Sequence, residues 1–382
     1  MLAARLGRCA GVLLLLLAAT AAVAGAPVDE TEPATDLSAV PVHTDQEIRR
    51  FQTFAGPAPT PKLLNAWKNG FLRQRVNRAM AISAHGTFGY AFGWATEEGA
   101  SNAALRNCRK FLFTEQFSDD CRLYAVNMRI VYPGLEFRIR PLDVHIGDFT
   151  FRNDYFFYGP RRAKGVIVWS HGYGGFFVAS YKPAAWSLVT VLNLAGWDIL
   201  RFDRQPDHDE LWRSEARLAR SVELLARVGY RRIVLAGQSR GALQSVRVLR
   251  REDVARVVAG VIAISPANNG YGNARTYLNA PDEWGRMVSA IRPGPLRFAA
   301  VFFDHDIYIP AAKAEADDAR QTLTRAGIAN MVVYETDPAI TTTSDGKPTG
   351  HSGARSPLFT ERYADCLATF IESGVAAGNC RH

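Results

Sequence analysis

Cysteine is scarce in this chain of 382 residues, which has five in all. No two of them have the spacing Cys-x-x-Cys, which argues against a cysteine-based metal site or a dithiol redox centre. Beyond the first 26 residues no apolar run reaches the length of about 20 residues that a membrane-spanning helix needs. No internal repeat is visible either. The sequence therefore indicates a globular chain rather than a repeat array or an integral membrane protein.

The charge balance lacks a strong bias. Lys and Arg number 45 against 37 Asp and Glu, a formal net charge of +8. A positive balance favours acidic substrates or anionic surfaces, but the basic residues are scattered among acids on predicted helix faces, which is typical of solvated surfaces. We expect no nucleic-acid partner, no metal and no organic cofactor. The run Asp207-His208-Asp209 is interpreted as a polar turn.

Residues 1–24 have the features of a secretory signal peptide. Arg5 and Arg8 precede an apolar run at 12–23, and small residues flank a cleavage point after Ala24. No Arg-Arg pair is present there, which favours the general secretory route over the twin-arginine route. We expect an exported protein, periplasmic or secreted, without an integral membrane segment after cleavage.

Removal of the signal leaves an even number of cysteines, which in an exported chain favours disulfides. Their spacing predicts two local pairs, Cys108–Cys121 and Cys366–Cys380. Each pair would close a loop of about 15 residues, worth about 3 kcal/mol in the chain-entropy model. Both pairs are interpreted as structural.

The mature chain is predicted to have three parts. Residues 25–46 form a flexible lead that is rich in Pro, Ala, Thr and acidic residues. Residues 47–132 form a small α+β accessory domain, with strands at 79–83, 87–94 and 121–131 and a helix at 100–113. This domain could bind substrate, bind envelope material or cover a sheet edge. Residues 133–382 form the catalytic domain.

The catalytic domain alternates strands and helices, which predicts an α/β fold with a mostly parallel sheet and helices on both faces. The predicted strands are 149–158, 166–170, 198–202, 233–236, 258–264, 298–303 and 331–334. The predicted helices are 181–194, 210–228 and 282–290, with one from about 311 and one at the C-terminus.

The most informative motif is Gly237-Gln238-Ser239-Arg240-Gly241. It fits the nucleophile elbow Gly-x-Ser-x-Gly, in which a serine lies on a sharp turn between a strand and a helix. An apolar strand precedes it, and apolar residues at helical spacing follow. We expect glycine at 237 and 241 because the tight turn leaves no room for a Cβ.

A second motif, His171-Gly172-Tyr173-Gly174-Gly175, follows the strand at 166–170. The glycines let the backbone approach a negatively charged oxygen closely. With the N–H of Arg240, the N–H of Tyr173 is predicted to form an oxyanion hole, Gly172 being the alternative donor. His171 is expected to hold this loop by hydrogen bonding.

A catalytic serine also needs a base and a carboxylate that orients the base. Three histidines follow the serine: His305, His351 and His382. The last is the final residue of the chain, where fraying is expected. Two carboxylates, Asp304 and Asp306, follow the strand at 298–303.

Together these patches resemble the α/β-hydrolase superfamily, in the style of its dienelactone-hydrolase-like and small esterase branches, over about residues 144–370. The resemblance implies the chain order serine, acid, histidine, which selects His351, in the loop before the C-terminal helix, as the base. It favours Asp306 over Asp304, because many relatives carry Asp followed four residues later by Pro, here Pro310.

The resemblance implies a carboxylic ester hydrolase that works through an acyl-enzyme. The segment 265–296 is too short for a full cap domain, which favours small-molecule or polymer esters. Phe176 and Tyr271 are predicted to supply aromatic walls for the substrate. Two alternatives stay open: a serine peptidase of the same fold acting on short peptides, and a non-catalytic binding protein.

Overall fold

The structure is a computed structural model that describes residues 41–115, 121–173, 185–204, 211–267, 284–292, 294–343 and 345–375. These residues belong to one compact unit. Within these ranges every helix is too short or too polar to cross a lipid bilayer. The predicted signal peptide and most of the predicted flexible lead lie outside the described residues, so both stay predictions.

The N-terminal part combines short helices with an antiparallel sheet. Its elements, in chain order, are α1 (Asp45–Gln52), α2 (Pro61–Asn65), a π-helical turn (Ala66–Phe71), β1 (Ala79–Ile82), β2 (Phe88–Ala91), α3 (Glu97–Glu115), β3 (Arg122–Val126), β4 (Arg129–Ile130) and β5 (Phe137–Arg138). The strand order is β2-β1-β3-β4-β5. The first three strands and α3 follow the predicted β-β-α-β order, and β4 and β5 extend it.

One predicted disulfide is confirmed in this part of the chain. Cys108 on α3 is bonded to Cys121, the residue before β3. The bond ties the helix to the sheet on which it packs. Cys366 is buried, but Cys380 lies outside the described residues, so their pairing stays a prediction.

The larger sheet has eight strands: β6 (His145–Ile146), β7 (Phe149–Phe151), β8 (Val166–Ser170), β9 (Asp198–Phe202), β10 (Ile233–Gln238), β11 (Val258–Ile264), β12 (Arg297–Phe303) and β13 (Ala329–Glu335). The helices around it are α4 (Ser187–Leu194), α5 (Leu211–Arg227), α6 (Arg240–Arg247), α7 (Glu252–Ala255), α8 (residues 284–289), α9 (Ala312–Arg325), α10 (Pro338–Thr341) and α11 (Pro357–Ser373).

The strand order of this sheet is β13-β12-β11-β10-β8-β9-β7-β6. Every pair from β13 to β9 is parallel, and β7 and β6 add an antiparallel edge. The predicted α/β-hydrolase-like fold is therefore confirmed, with a small antiparallel sheet before it. The predicted strand at 149–158 is shorter than expected and ends at Phe151.

Burial explains why the central strands form where they do. All residues of β8, β9 and β10 are buried, as expected for parallel strands that are covered on both faces. Leu218, Val222 and Leu225 supply the buried stripe of α5. Because parallel strands end at one edge of the sheet, the loops after β8, β10 and β12 converge there.

Candidate active site

Ser239 occupies the turn between β10 and α6, as the motif predicts. Its backbone has φ 56° and ψ −123°, a region that costs a residue with a side chain about 1–3 kcal/mol. The strain is held by neighbouring bonds, since the Ser239 N–H donates to the carbonyl of Ile264 at 2.9 Å. The serine is therefore fixed at the carboxyl edge of the sheet.

The glycines of the motif are required sterically, as predicted. A Cβ at Gly241 would lie 2.1 Å from the carbonyl oxygen of Ser170, and a Cβ at Gly237 would lie 2.4 Å from the backbone of Gly241. Neither distance is possible for real atoms, so the elbow closes only with glycine at both positions.

The structure brings Asp306, rather than Asp304, to His351. The Nδ1 atom of His351 lies 3.0 and 2.9 Å from the two carboxylate oxygens of Asp306. The Asp306 side chain is fully buried, whereas that of Asp304 is 42% exposed. His305, between the two, has φ 54°, and the backbone bends at this residue on its way to Asp306.

His351 lies in a 3-10 helical turn, Gly350–Arg355, and not in the irregular loop that the sequence predicts. The reason is close packing against the turn that carries the acid. A Cβ at Gly350 would lie 2.1 Å from the carbonyl oxygen of Asp304. The two turns therefore interlock through their backbones, which fixes the distance between the histidine and the aspartate.

The Nε2 atom of His351 contacts Gln238, the residue before the serine. The side-chain amide nitrogen of Gln238 lies 3.0 Å from Nε2 and 3.4 Å from the carbonyl oxygen of His351. An amide N–H donates, so Nε2 accepts and the proton of a neutral imidazole resides on Nδ1, facing Asp306. Among the described residues, no hydrogen bond joins Ser239 Oγ to His351 in this arrangement.

The loop after β8 is fastened by Arg204. Its guanidinium donates to the carbonyl oxygens of His171 and Gly172 at 2.6 and 3.0 Å. The His171 Nδ1 atom lies 2.6 Å from the Gly172 carbonyl oxygen. Burial, with the charge of Arg204 adding to it, lowers the pKa of His171 to about 3. A neutral His171 that bonds its own loop matches the structural role expected from the sequence.

The predicted oxyanion donors flank the serine. Arg240 is the first residue of α6, where backbone N–H groups have no acceptor within the helix. Its guanidinium lies 4.5 Å above the ring of Tyr173, so the two predicted donor residues are in contact. Their role as an oxyanion hole stays a prediction.

A cavity of about 380 Å³ joins these residues. Its lining residues are Tyr173, Gln238, Ser239, His305, Ile307, Tyr308, Pro348, Thr349, His351, Ser352 and Arg355. Larger cavities, of about 800, 550 and 530 Å³, lie between α8 and α9, beside β2 and beside the turn that carries Asp306, but the smaller one is lined by both Ser239 and His351. The predicted substrate residues Phe176 and Tyr271 lie outside the described residues.

Sequence reasoning missed three residues at this site: Gln238, which contacts His351, Arg204, which holds the loop after β8, and Arg355, which lines the cavity. Gln238 stands inside the recognised motif, but nothing in the motif shows that its side chain turns toward His351. Arg204 comes two residues after β9, and polar residues at strand ends were the available signal. In the described chain no three His, Cys, Asp or Glu side chains cluster as metal ligands; Asp207, His208 and Asp209 lie outside it.

The strand order, the serine elbow and the Asp306–His351 pair define the class: an α/β-hydrolase-like protein with the residues of a Ser-His-Asp triad. No family model matches the chain, and no curated protein matches it.

Solved structures with similar folds include esterases and peptidases. A bacterial brefeldin A esterase, described as a homologue of human hormone-sensitive lipase, is 16% identical, with a TM-score of 0.39 over 56% of this chain and 70% of that one. Dienelactone hydrolase from Anabaena variabilis is 13% identical, with a TM-score of 0.40 over 61% and 96%. A puromycin-hydrolyzing peptidase from Mycobacterium tuberculosis is 10% identical, with a TM-score of 0.39 over 55% and 35%. The fold assignment rests on the strand order of the chain itself.

Proposed function

We propose that this protein is an exported serine hydrolase that cleaves carboxylic esters. The observation that carries the proposal is the 2.9 Å contact between His351 Nδ1 and the buried Asp306 carboxylate, in the same cavity wall as Ser239. A base oriented by a buried carboxylate beside a strained serine is the arrangement that activates a hydroxyl for attack. The Cys108–Cys121 disulfide supports export, since disulfides persist in oxidising compartments.

In the first half of the reaction Ser239 Oγ attacks the ester carbonyl carbon. His351 Nε2 takes the hydroxyl proton, and Asp306 stabilises the imidazolium through the Nδ1 proton. The negative charge moves to the carbonyl oxygen, for which the N–H groups of Arg240 and Tyr173 are the proposed donors. His351 then gives its proton to the leaving alcohol as the carbon–oxygen bond breaks.

The second half removes the acyl group from Ser239. A water molecule attacks the acyl carbon while His351 takes one of its protons. The collapse of the second tetrahedral intermediate returns that proton to Ser239 Oγ and releases the carboxylic acid. The same histidine therefore acts as base and acid in each half of the cycle.

Gln238 must leave Nε2 before this cycle begins. In the structure its amide N–H occupies the lone pair that has to accept the serine proton. Catalytic hydrogen bonds are often incomplete without substrate and tighten when it binds. We infer that substrate entry moves the Gln238 amide aside and lets Ser239 Oγ take its place.

The proposal is tested by labelling the mature protein with a fluorophosphonate, which reacts with activated serines. Wild type should be labelled, and Ser239→Ala should not. Ser352→Ala is the matched control, because Ser352 lines the same cavity without belonging to the triad, and it should still be labelled. A folded wild type that stays unlabelled would contradict the proposal and favour a binding protein. Labelling followed by turnover of peptides but not of esters would favour a peptidase.

A further inference from the structure

Arg355 places an unpaired positive charge on the wall of the catalytic cavity. It lines the cavity together with Ser239 and His351, at the end of the 3-10 turn that carries the histidine. Its guanidinium lies 5.2 Å above the ring of Trp186. In the part of the chain that the structure describes, no carboxylate forms an ion pair with it.

The rest of the cavity wall offers no compensating negative charge. None of the described residues that line the cavity is an Asp or a Glu. The nearby Asp306 carboxylate faces His351 Nδ1 with both oxygens. Arg355 is exposed, so it lies at the rim of the cavity, where a cation without a counter-charge attracts anionic groups.

A second cation, Arg75, lies beside Arg355. Its side chain is half-buried, and its Nη2 donates to the carbonyl of Gly93 at 3.3 Å. Burial, followed by the charge of Arg355, lowers the pKa of Arg75. The Arg75 Nε atom is buried and has no hydrogen-bond partner within the described chain. Two like charges are therefore held close together.

The backbone that carries Arg75 is built to stay in place. The buried guanidinium of Arg78 donates to the carbonyl oxygens of Phe71, Leu72 and Gln74. The Arg75 N–H donates to Ser187 Oγ at 3.1 Å, in the first turn of α4. A fixed loop thus brings Arg75, from the N-terminal part of the chain, into contact with α4.

The Arg355 side chain and the Arg75 backbone both contact the N-terminus of α4. Arg355 stacks on Trp186, the residue before the helix, and Arg75 is bonded to the next residue, Ser187. The positive end of the helix dipole adds to the two guanidinium charges. An anionic group bound there would relieve the repulsion between the guanidinium groups and gain charge-assisted hydrogen bonds.

We propose that the ester substrate carries an anionic oxygen group, such as a carboxylate, which binds at Arg355 while the ester carbonyl lies at Ser239, with the charge of Arg75 strengthening the attraction. This inference rests on the proposed ester hydrolysis and names its substrate class. It gives the N-terminal part of the chain a role in substrate selection, through Arg75.

The test uses two aryl esters of equal length, the 4-nitrophenyl monoester of glutaric acid and 4-nitrophenyl pentanoate. They differ in one terminal group, a carboxylate against a methyl. Wild type should favour the glutarate ester in kcat/KM. Arg355→Gln should lower the ratio of the two kcat/KM values by about tenfold or more, as expected for a lost charge-assisted contact. Arg355→Lys should retain part of the preference, and Arg75→Gln should lose less of it.

Arg49→Gln is the matched control, because it removes the same charge from an exposed position on α1; the ratio should not change. A second pair, 4-acetoxybenzoate and 4-methylphenyl acetate, places the carboxylate on the alcohol side. If the ratio of kcat/KM values is the same in wild type and Arg355→Gln for both pairs of esters, the inference is overturned. The proposed function would still hold in that case, provided that the neutral esters are turned over.

If no ester is turned over, binding measurements distinguish the proposed anion site from the proposed hydrolysis. Calorimetric titration of Ser239→Ala with monomethyl glutarate and with methyl pentanoate measures recognition without chemistry. Tighter binding of the glutarate ester that is lost in Ser239→Ala/Arg355→Gln would support the anion site although the proposed hydrolysis had failed. Equal affinities would overturn the anion site.

Discussion

The two sheets of this protein are stabilised by different means. The eight-stranded sheet has long parallel strands whose large apolar side chains are covered on both faces. The five-stranded sheet contributes to a cluster with large aromatic side chains on one face, but the cluster between it and α3 consists mainly of alanines. Alanine buries little apolar area, so the Cys108–Cys121 disulfide supplies stability that packing there does not.

Both parts of the chain contain non-glycine residues with positive φ, but these residues lie in different places. In the N-terminal part they are Ala58, Asn77 and Asn127, none of which lines the catalytic cavity. β10 is followed at once by Ser239, β11 by Ser265, and β12 after one further residue by His305, and all three have positive φ. Such conformations persist only where the surroundings over-determine them. The larger sheet provides those surroundings at the edge that holds the site. Changes at this edge should therefore affect chemistry more than stability, and changes at the disulfide should do the reverse.

The largest expected effect is that of His351→Ala on turnover. Loss of the base should lower kcat/KM for an ester by about 10⁴-fold or more, because the serine loses its proton acceptor. The side chain is partly exposed, so the thermal midpoint should change little. The measurement pairs steady-state kinetics with thermal unfolding.

His145→Ala is the control for this change, since His145 lies exposed on β6. It should keep wild-type kinetics. Activity of His351→Ala within tenfold of wild type would refute the role of His351 as the base. A strongly lowered thermal midpoint would show that the edge of the sheet depends on this residue for stability.

The opposite pattern is expected for Cys108→Ser/Cys121→Ser. Loss of this bond should lower the free energy of unfolding by about 3 kcal/mol, by the entropy of the loop it closes. Turnover of the folded protein should persist, because the bond lies outside the cavity that holds Ser239. Urea unfolding and ester kinetics at low temperature measure the two effects. A folded double variant without activity would show that the N-terminal sheet shapes the site.

The difference between the two sheets also explains how much of each could be predicted from the sequence. The bounds of β8, β9 and β11 were predicted to the residue, because buried parallel strands are uninterrupted apolar runs between polar turns. The serine elbow was predicted because its glycines have a local steric cause. In the other sheet, β4 and β5 have two residues each, too few to show the alternation of a strand.

Side-chain contacts between distant positions could not be predicted. Gln238 meets His351 across 113 residues of chain, and Arg204 meets His171 across 33. No local sequence pattern predicts such a contact, because it depends on how the folded sheet positions the loops at its edge. The choice of Asp306 over Asp304 likewise rested on resemblance, and it is the bend at His305 in the structure that turns Asp306 toward the histidine.

The smallest expected effect is that of Glu315→Gln on the pH dependence of stability. Glu315 lies on α9, one of the helices around the larger sheet. Its carboxyl group is buried, and its Oε1 atom has no hydrogen-bond partner within the described chain. Burial, with the charge of Asp306 adding to it, raises the pKa of Glu315 from 4.5 to about 7. The folded protein therefore holds this proton more tightly than the unfolded chain does.

The sign of the pH dependence follows from that difference. Well below pH 4.5 both states are protonated and the group has no effect. As the pH rises towards 7 the unfolded chain loses the proton first, so folding becomes less favourable. Glu315→Gln removes the ionisation. Its stability relative to wild type should therefore increase by about 2–3 kcal/mol between pH 5 and pH 8, measured by urea unfolding at both values. Asp318→Asn, at an exposed position on the same helix, should show a much smaller change. A Glu315→Gln difference that does not vary with pH would mean that the buried carboxyl group is not held protonated by the fold.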